Sequence, residues 1–306
     1  MKTDYYYFPR GRRFAGAWLY IVMGLIILSL TGVVTLLAYN LKTRPVLLQR
    51  ALPQKVEELN LIRFRDRILL VRKDVPLNVY QKDAYWYEND RLFYFDGETE
   101  AAFGIDVSYA QDEIDWAKVK SDGVSFAMLR IGFRGYSEGL IVTDNFFEQN
   151  ISGASEVGID TGVYFFSQAL NEKEAREEAK WVIETLKGYK LTYPVVFDWE
   201  FYWGIEEART NNMDSETLTS CAIAFCDEIE KAGYTPMIYF NMSLGYLYYD
   251  LSEMQKYDFW LAELGEPPIF HYNFQMLQYS HTGKVDGIEG EVDLNISFID
   301  YAKKQS

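Results

Sequence analysis

The chain has 306 residues, of which 49% are hydrophobic and 17% aromatic, so it can bury a large core, and disorder over most of its length is excluded. Its formal charge of −15 is unevenly spread, because residues 101–306 carry 34 acidic against 15 basic side chains, whereas residues 1–100 carry 11 against 15. This acidic balance excludes nucleic acid as a partner, since phosphates require a basic surface, and it excludes partners recognised mainly by negative charge.

Residues 14–41 contain no charged side chain. A helix of this length and hydrophobicity can cross the roughly 30 Å hydrocarbon layer of a bilayer, so the segment predicts a transmembrane helix after a cytoplasmic tail at residues 1–13. The alternative is a cleaved signal peptide, but its apolar region is usually about 7–15 residues long and ends at a small-residue cleavage site. Basic residues flank both ends of the run, so the charge rule favours a cytoplasmic N-terminus only slightly.

Residues 42–100 predict a stalk followed by a small β-rich module. The stalk includes a short helix after Pro53, and four short β-forming runs over residues 67–96, separated by turn signals, predict a β-meander. Its aromatic side chains either form a glycan-binding surface or, as aromatic runs on both faces of a strand favour, pack the module together or against a larger domain. These aromatics are Tyr85, Trp86, Tyr87, Phe93, Tyr94 and Phe95.

From residue 103 onward, short β-like segments alternate with helical ones. The predicted strands are Phe103–Val107, Ser125–Ile131, Thr161–Ser167, Tyr193–Glu200, Pro236–Asn241, Phe259–Leu264, Phe274–Tyr279 and one near Glu291–Leu294, and the predicted helices lie near 113–121, 144–157, 171–187 and 214–232. Such alternation over about 200 residues is typical of an α/β fold with parallel strands closed into a barrel. Because helical patterns become sparse after residue 233, the sequence predicts an irregular (β/α) TIM-like barrel over residues 101–306.

Carboxylates follow the apolar part of these strands. Asp198 and Glu200 end the strand that starts at Tyr193, and strand alternation places both on one face, with Trp199 facing the surrounding helices. In α/β barrels, catalytic groups lie at the C-terminal ends of strands. Asp106 and Asp293 occupy the same kind of position on the first and last predicted strands, so we expect a site of four acids.

Cysteine and histidine chemistry is not expected. Cys221 and Cys226 lie five residues apart in an amphipathic helix, too far apart for an unstrained disulfide, and are expected to pack in the core. His271 and His281 lie in separate loop-like segments without the spacing of metal ligands. The sequence therefore predicts neither a metal nor a cofactor and leaves the chemistry to carboxylates.

Four blocks of this chain carry a family resemblance. They are Gly104–Gln111 with Ile114–Trp116 and Phe126–Arg130, then Gly162–Phe166, then Pro194–Glu200, and finally Gln278–Ser280 with Gly283–Val285, Gly287–Ile288 and Val292–Asn295. In this order they resemble the blocks of glycoside hydrolase family 25, the muramidase-type lysozymes. The resemblance covers residues from about 103 to 298 and none of residues 1–100.

The resemblance implies roles for the four acids. Glu200 matches the family's general acid/base, and Asp198 matches the carboxylate that stabilises or attacks the anomeric carbon, while Asp106 and Asp293 complete the cluster. Both a direct nucleophile and assistance to the substrate's own acetamido group remain open for Asp198. One departure concerns residues 164–166, which read Tyr-Phe-Phe where many members have Tyr-His-Phe, and this puts details of substrate recognition in question.

Four further residues are candidates for substrate binding. Tyr164, Tyr239 and Trp260 lie near strand ends and could stack on sugar rings, with burial in the core as the alternative. Gln278 resembles a family position near the site, and its alternative role is a hydrogen bond that holds a loop.

The resulting expectation is a peptidoglycan hydrolase that cleaves the β-1,4 bond between N-acetylmuramic acid and N-acetylglucosamine. The span at residues 14–41 would anchor it in the cell membrane as a single-pass protein, with the catalytic domain outside, where the glycan strands lie. The alternatives are a non-catalytic wall-binding or scaffold protein on the same fold, and a hydrolase of another aminosugar polymer. The presence of all four acids favours an enzyme. The sequence names no protein partner.

Overall fold

The structure, a computed structural model, comprises two compact units, one ending at Val71 and one starting at Arg72. It describes residues 61–202, 204–265 and 267–304. The predicted transmembrane helix at residues 14–41 lies outside these ranges, as does the stalk up to residue 60. Within the ranges, no helix combines the length and apolar character that crossing a membrane requires.

The described part of the first unit is an antiparallel hairpin of β1 (Leu61–Phe64) and β2 (Arg67–Leu70). The structure does not contain a single meander over residues 67–96. β2 pairs with β1, and the predicted run at residues 76–80 forms no strand, since its β-pairing is limited to one isolated bridge between Leu77 and Tyr272. The later runs form a separate hairpin of β3 (Tyr85–Glu88) and β4 (Arg91–Tyr94), which belongs to the second unit.

The second unit is built on a closed barrel of eight strands, with a short ninth strand, β7, added to its wall. The strands are β5 (Ala102–Val107), β6 (Phe126–Arg134), β7 (Ile141–Thr143), β8 (Asp160–Ser167), β9 (Val195–Trp199), β10 (Pro236–Asn241), β11 (Asp258–Ala262), β12 (Met276–Gly283) and β13 (Val292–Ser297). In the barrel each strand pairs in parallel with the next one, except β13, which is antiparallel to both β12 and β5. The predicted barrel and all eight of its predicted strands are confirmed.

Helices surround the first two thirds of the barrel and become sparse afterwards, as the sequence predicts. They are α1 (Trp116–Ser121), α2 (Phe147–Glu156), α3 (Glu172–Thr185), α4 (Ser215–Lys231), α5 (Met242–Leu247) and α6 (Tyr301–Lys304). Asp115, Asn171 and Asp214 cap α1, α3 and α4, because each side chain accepts a hydrogen bond from a backbone N–H of the first helical turn. The sequence did not predict the two short helices, α5 and α6.

Apolar side chains fill the barrel below the ends of its parallel strands. Phe126 and Tyr193 stack with ring centroids 4.4 Å apart. Gly104 leaves the space that this pair needs, because a Cβ atom there would lie 2.4 Å from the Phe126 ring. Met128 and Val196 lie in the same buried cluster. The barrel is therefore a packed core rather than a channel, and polar chemistry is confined to its end.

Residues that precede the barrel in the chain cover the part of the barrel wall that has few helices. The Tyr80 ring stacks on Phe298, with centroids 3.7 Å apart, and its hydroxyl donates to the Phe274 carbonyl oxygen at 2.8 Å. Tyr85 and Tyr94 pack against each other and against Phe298. The predicted packing role is thus confirmed for Tyr85 and Tyr94. The sequence places a domain boundary at residue 100, and these contacts lie within the compact unit that starts at Arg72.

The outer face of the β3–β4 hairpin differs from its inner face. On the outer face, Trp86 and Phe95 are each about half exposed, and Trp86 stacks on Phe93 with centroids 5.5 Å apart. Tyr87 is the register partner of the buried Leu92, so it lies on the inner face although it is also about half exposed. Strand alternation explains the split, since Leu92 and Tyr94 point inward and are almost fully buried. A glycan-binding role for the outer face stays a prediction.

If the β3–β4 hairpin is an integral part of the barrel unit, a core truncation in β4 will destabilise the whole unit. Leu92 is fully buried, so Leu92→Ala should lower the free energy of unfolding of the barrel unit by about 2–5 kcal/mol. Val79→Ala, at an exposed position in the same part of the chain, should change it by less than about 0.5 kcal/mol. Thermal unfolding of the full chain, followed by near-ultraviolet circular dichroism, measures both. An unchanged barrel transition in Leu92→Ala would show that the hairpin is a separate module.

Candidate active site

Four carboxyl groups meet at the end of the barrel where the parallel strands finish, which we call the carboxyl-end rim. Asp106 lies near the end of β5, Asp198 lies near the end of β9, and Glu200 follows β9 directly. Asp293 differs from the expectation, because it lies at the beginning of its strand, β13, and not at the end. Since β13 runs antiparallel to β5, Asp293 is nevertheless the register partner of Asp106 and reaches the same rim.

The rim surrounds a cavity of about 190 Å³. All eight residues that the sequence nominated line this cavity, together with two that it did not nominate. They are Asp106, Asp198, Glu200 and Asp293, then Tyr164, Tyr239, Trp260 and Gln278, and finally Arg130 and Phe166.

Asp106 and Asp293 form one half of the acid cluster. The buried Asp106 carboxyl accepts hydrogen bonds from Gln278 Nε2 at 2.9 Å and Asn295 Nδ2 at 2.8 Å. Burial, and then the charge of Asp293, raises the pKa of Asp106 well above its ordinary value. Burial also raises the pKa of Asp293, against a hydrogen bond from Asp106 and the charge of His281.

Two aromatic side chains of the cavity are fixed by this network. Tyr239 donates its hydroxyl to Gln278 Oε1 at 3.0 Å, and Trp260 Nε1 donates to Asn295 Oδ1 at 2.9 Å. The two rings pack edge to face, with centroids 4.9 Å apart. Gln278 also approaches Asp293 Oδ2 at 3.3 Å, so one amide connects Tyr239 with both acids. The hydrogen bonds preset the orientation of the cavity wall before any ligand binds.

Asp198 and Glu200 form the other half of the cluster. Burial, and then the negative charge of Asp293, raises the pKa of Glu200 to about 7. Burial raises the pKa of Asp198 well above its ordinary value, and the charges of Glu200 and Asp106 add to this effect, while Arg130 opposes it. Among the described residues, Asp198 Oδ1 is buried without a hydrogen-bond partner. A buried carboxylate oxygen left free in this way is available to a ligand.

Arg130 is a cavity residue that the sequence did not nominate. It pairs with the buried Asp144, with 2.8 Å between Arg130 Nε and Asp144 Oδ2, and its guanidinium lies 4.7 Å from the centre of the Tyr109 ring. The signal in the sequence was a single charged residue within the otherwise apolar run Phe126–Ile131, whose side chain alternation assigns to the barrel interior. Its positive charge opposes the rise in the pKa of Asp198.

An aromatic group borders the cavity on the side of Arg130. Phe166 lines the cavity and meets Tyr202 edge to face at 5.7 Å, and Tyr202 packs against Tyr136 at 4.8 Å. Tyr109 and Tyr136 are more than one third exposed. Open ring faces beside a polar cavity are the surfaces on which sugar rings stack in proteins.

The described residues offer no group of three or more His, Cys, Asp or Glu side chains arranged to hold a metal ion. Cys221 and Cys226 are unpaired and buried in α4. His281 lies in β12 and not in a loop, because β12 extends past the rim through two irregularities in its pairing with β13.

A comparison with known protein families identifies the family of this chain, and its result agrees with the geometry of the site. The profile of glycosyl hydrolases family 25 matches residues 105–288, more than half of the chain. The chain belongs to glycosyl hydrolase family 25. The matched region contains Asp106, Asp198, Glu200 and Gln278.

Similar proteins agree with this assignment. The autolytic lysozyme of Clostridium acetobutylicum is 26% identical over 198 residues, which cover 63% of this chain and 54% of that protein. The modular autolysin LytC of Streptococcus pneumoniae, solved with a synthetic peptidoglycan ligand, is 26% identical with a TM-score of 0.58, covering 70% of this chain and 52% of LytC. The bacterial lysozyme of Streptomyces coelicolor is 25% identical with a TM-score of 0.53, covering 67% of this chain and 96% of that structure. The chain thus spans about half the length of the first two.

The departure from the family's Tyr-His-Phe pattern falls outside the cavity. Phe165, at the position of that His, is fully buried and packs against Trp181 of α3 and Phe225 of α4. Its neighbours Tyr164 and Phe166 face the cavity because side chains alternate along β8. Trp199 is likewise fully buried, on the face of β9 opposite to Asp198, as the sequence predicts.

The raised pKa of Glu200 predicts a dependence of stability on pH. An acid whose pKa rises on folding costs no stability below its ordinary pKa of 4.5, costs progressively more as the pH rises towards 7, and costs a constant amount above 7. Glu200→Gln removes this cost, so it should stabilise the chain at pH 8 by an amount on the order of 3 kcal/mol relative to its effect at pH 4. Urea unfolding at the two pH values measures the difference. The control is Glu138→Gln, which makes the same chemical change at an exposed position. Equal effects of Glu200→Gln at both pH values would contradict the raised pKa.

Proposed function

We propose that this protein is a muramidase that cleaves the β-1,4 bond between N-acetylmuramic acid and N-acetylglucosamine in peptidoglycan. The observation that carries the proposal is the cavity at the carboxyl-end rim, where Glu200, with its pKa raised to about 7, lies beside Asp198. Family membership and the lysozyme relatives support it. Cleavage of a glycosidic bond needs both a proton donor and a negative charge near the anomeric carbon.

In the proposed reaction, Glu200 donates its proton to the glycosidic oxygen as the bond to the anomeric carbon breaks. A pKa of about 7 keeps this carboxyl protonated for a large part of the time at neutral pH, yet able to release the proton during the reaction. Glu200 then takes a proton from the water that attacks the anomeric carbon in the second step, which restores its starting state.

Asp198 provides the negative charge in this mechanism. In the free protein the charge of Glu200 raises the pKa of Asp198, so the two carboxyls do not readily ionise together. During the reaction, positive charge develops on the sugar ring and favours the ionised form of Asp198. The positive charge of Arg130 favours the same form. Asp198 acts either as the nucleophile or as the group that orients the substrate's acetamido oxygen, and both routes use the same proton from Glu200.

The Asp106–Asp293 pair has a different role in the proposal. Hydrogen bonds from Gln278 and Asn295 hold Asp106, and Gln278 also donates to Asp293, so the pair contributes hydrogen bonds to the sugar and negative charge near Glu200. An apolar wall surrounds the sugar whose glycosidic bond is cleaved, and it is formed by Tyr164, Tyr239 and Trp260. Tyr136 and Tyr202, beside the cavity, are placed to stack on a neighbouring sugar of the strand.

The deciding experiment incubates the full chain with purified peptidoglycan and analyses the soluble fragments for new reducing ends. We expect fragments that end in N-acetylmuramic acid, and a decrease of about 10²–10⁴-fold in their rate of release for Glu200→Gln, which cannot donate the proton. Glu138→Gln, at an exposed position, should retain full activity. Binding without release by the wild-type chain would favour the wall-binding alternative. New ends on N-acetylglucosamine would indicate another bond specificity, and unchanged release by Glu200→Gln would exclude Glu200 as the acid.

We further propose that the uncharged segment at residues 14–41 anchors the protein in the cell membrane as a single span, with the catalytic unit outside. The support is the sequence itself, in which no charge interrupts 28 residues, together with the extracellular location of peptidoglycan. An anchored hydrolase acts on the wall of its own cell, which favours wall remodelling over attack on other cells.

The anchor predicts how the protein fractionates. The full chain should sediment with membranes and resist extraction by alkaline carbonate, while detergent should release it, because the span is held by hydrocarbon contacts. A variant without residues 14–41, exported by a cleavable signal peptide, should be soluble outside the membrane. Protease added to intact spheroplasts should degrade the catalytic unit of the anchored form. A soluble full chain, or a protected catalytic unit, would contradict the anchor or its orientation, respectively.

A further inference from the structure

We propose that Gln168 is a positioning residue, which holds the backbone of Glu200 so that the proton donor stays aligned with the cavity. This inference rests on the proposed function of Glu200. Gln168 itself is fully buried and does not line the cavity, so it would act only through the residue that it holds.

The first observation concerns where the ladder between β8 and β9 ends. Ser167 and Trp199 are the last pair of residues in its register. The next residues along the two strands are Gln168 and Glu200, and here a side chain replaces the backbone ladder, because Gln168 Nε2 donates to the Glu200 carbonyl oxygen at 2.9 Å. Glu200 is thereby held one residue beyond its strand.

The second observation is that every polar atom of this buried amide has a partner. Gln168 Nε2 also donates to the Ser167 carbonyl oxygen at 2.8 Å, and Gln168 Oε1 accepts from Thr210 Oγ1 at 2.6 Å. The partners fix the orientation of the amide, since the opposite orientation would bring its oxygen against two carbonyl oxygens. Thr210 is fully buried as well.

These contacts connect three parts of the chain. The described residues between Glu200 and α4, which are 201, 202 and 204–214, form no regular helix or strand, and Thr210 belongs to this connection. Gln168 therefore joins the end of β8, the residue after β9 and the connection that follows it. A residue at the start of an irregular segment has no ladder of its own to fix its direction, so the amide provides the constraint. A misplacement on the order of 1 Å in a catalytic group costs about 10²-fold in rate.

The structure also offers a matched control next to this amide. Ser167 is fully buried, and its hydroxyl donates to Glu178 Oε2 at 2.6 Å, in a network on the side of α3 that includes Arg134. The Ser167 side chain makes no hydrogen bond to Glu200. The Ser167 hydroxyl also accepts a hydrogen bond from the Ala169 backbone N–H at 3.1 Å. Ser167→Ala therefore removes two buried hydrogen bonds beside Gln168, and it destabilises the protein while the amide that holds the Glu200 carbonyl group remains.

The test compares four variants of the full chain. Gln168→Met keeps a similar volume without hydrogen bonds, Thr210→Val removes the hydroxyl that orients the amide, Thr210→Ser retains it, and Ser167→Ala is the control. We measure kcat and KM for release of reducing ends as functions of pH, and the pKa of the Glu200 carboxyl from its ¹³C chemical shift after selective glutamate labelling. The signal is assigned by its loss in Glu200→Gln.

For Gln168→Met we expect kcat to fall by about 10–100-fold with KM changed less than about twofold, because the acid is misaligned while the binding walls remain. Glu200 should become more accessible to water, so its pKa should fall below the wild-type value, and the alkaline limb of the kcat profile should move to lower pH. Thr210→Val should lower kcat by about 2–10-fold, and Thr210→Ser should restore it. Ser167→Ala should lower stability without moving the pKa of Glu200 or the pH profile.

The proposal is overturned if Gln168→Met leaves the Glu200 pKa unchanged and lowers kcat no more than Ser167→Ala does at a temperature where both variants are folded. The carboxyl titration does not require turnover. If the wild-type chain releases no fragments, the proposed function fails, whereas a shift of the Glu200 pKa in Gln168→Met would still support the positioning role.

Discussion

The pairing of β13 with β5 is the constraint on which the site depends. It closes the barrel between its last and first strands, and its register sets Asp293 directly against Asp106. The charge of Asp293 adds to the effect of burial on the pKa of Asp106, so these two carboxyls do not readily ionise together. Burial is the first cause of the raised pKa of Glu200 and of Asp198, and the charge of Asp293 adds to the first shift while the charge of Asp106 adds to the second. The closure of the barrel therefore places two of the charges that act on the proposed catalytic pair.

The other half of the arrangement is the division of the barrel interior into two zones. Below the rim, large apolar side chains fill the space. Phe126 and Tyr193 can stack there because Gly104 has no side chain to occupy the space of the Phe126 ring. At the rim, hydrogen bonds replace packing as the means of orientation, as in the chain that connects Tyr239, Gln278 and Asp106. The packed zone keeps water away from the floor of the cavity, and this low-dielectric floor is what makes the pKa shifts large.

Much of this could be predicted from the sequence, because strand and helix periodicity and the positions of acids after apolar runs are local signals. Asp198 and Glu200 are two residues apart in one strand segment, so their common face followed from alternation alone. The direction of β13 could not be predicted, since alternation is the same in parallel and antiparallel strands, and the interpretation of Asp293 as a strand end was wrong for that reason. Arg130 was missed because its role depends on Asp144, a partner from a separate loop. The aromatics near residue 85 gave no indication that Phe298 lies beneath them.

The stacking of Tyr80 on Phe298 also constrains the order of folding. These residues are more than two hundred positions apart, and β5 likewise pairs with β13, so the first elements of the barrel unit find their partners only after β13 and Phe298 have been made. Non-local contacts of this kind raise the contact order and slow folding. During synthesis the aromatic side chains near residue 80 remain uncovered until Phe298 is present, and apolar surface exposed for that time favours aggregation.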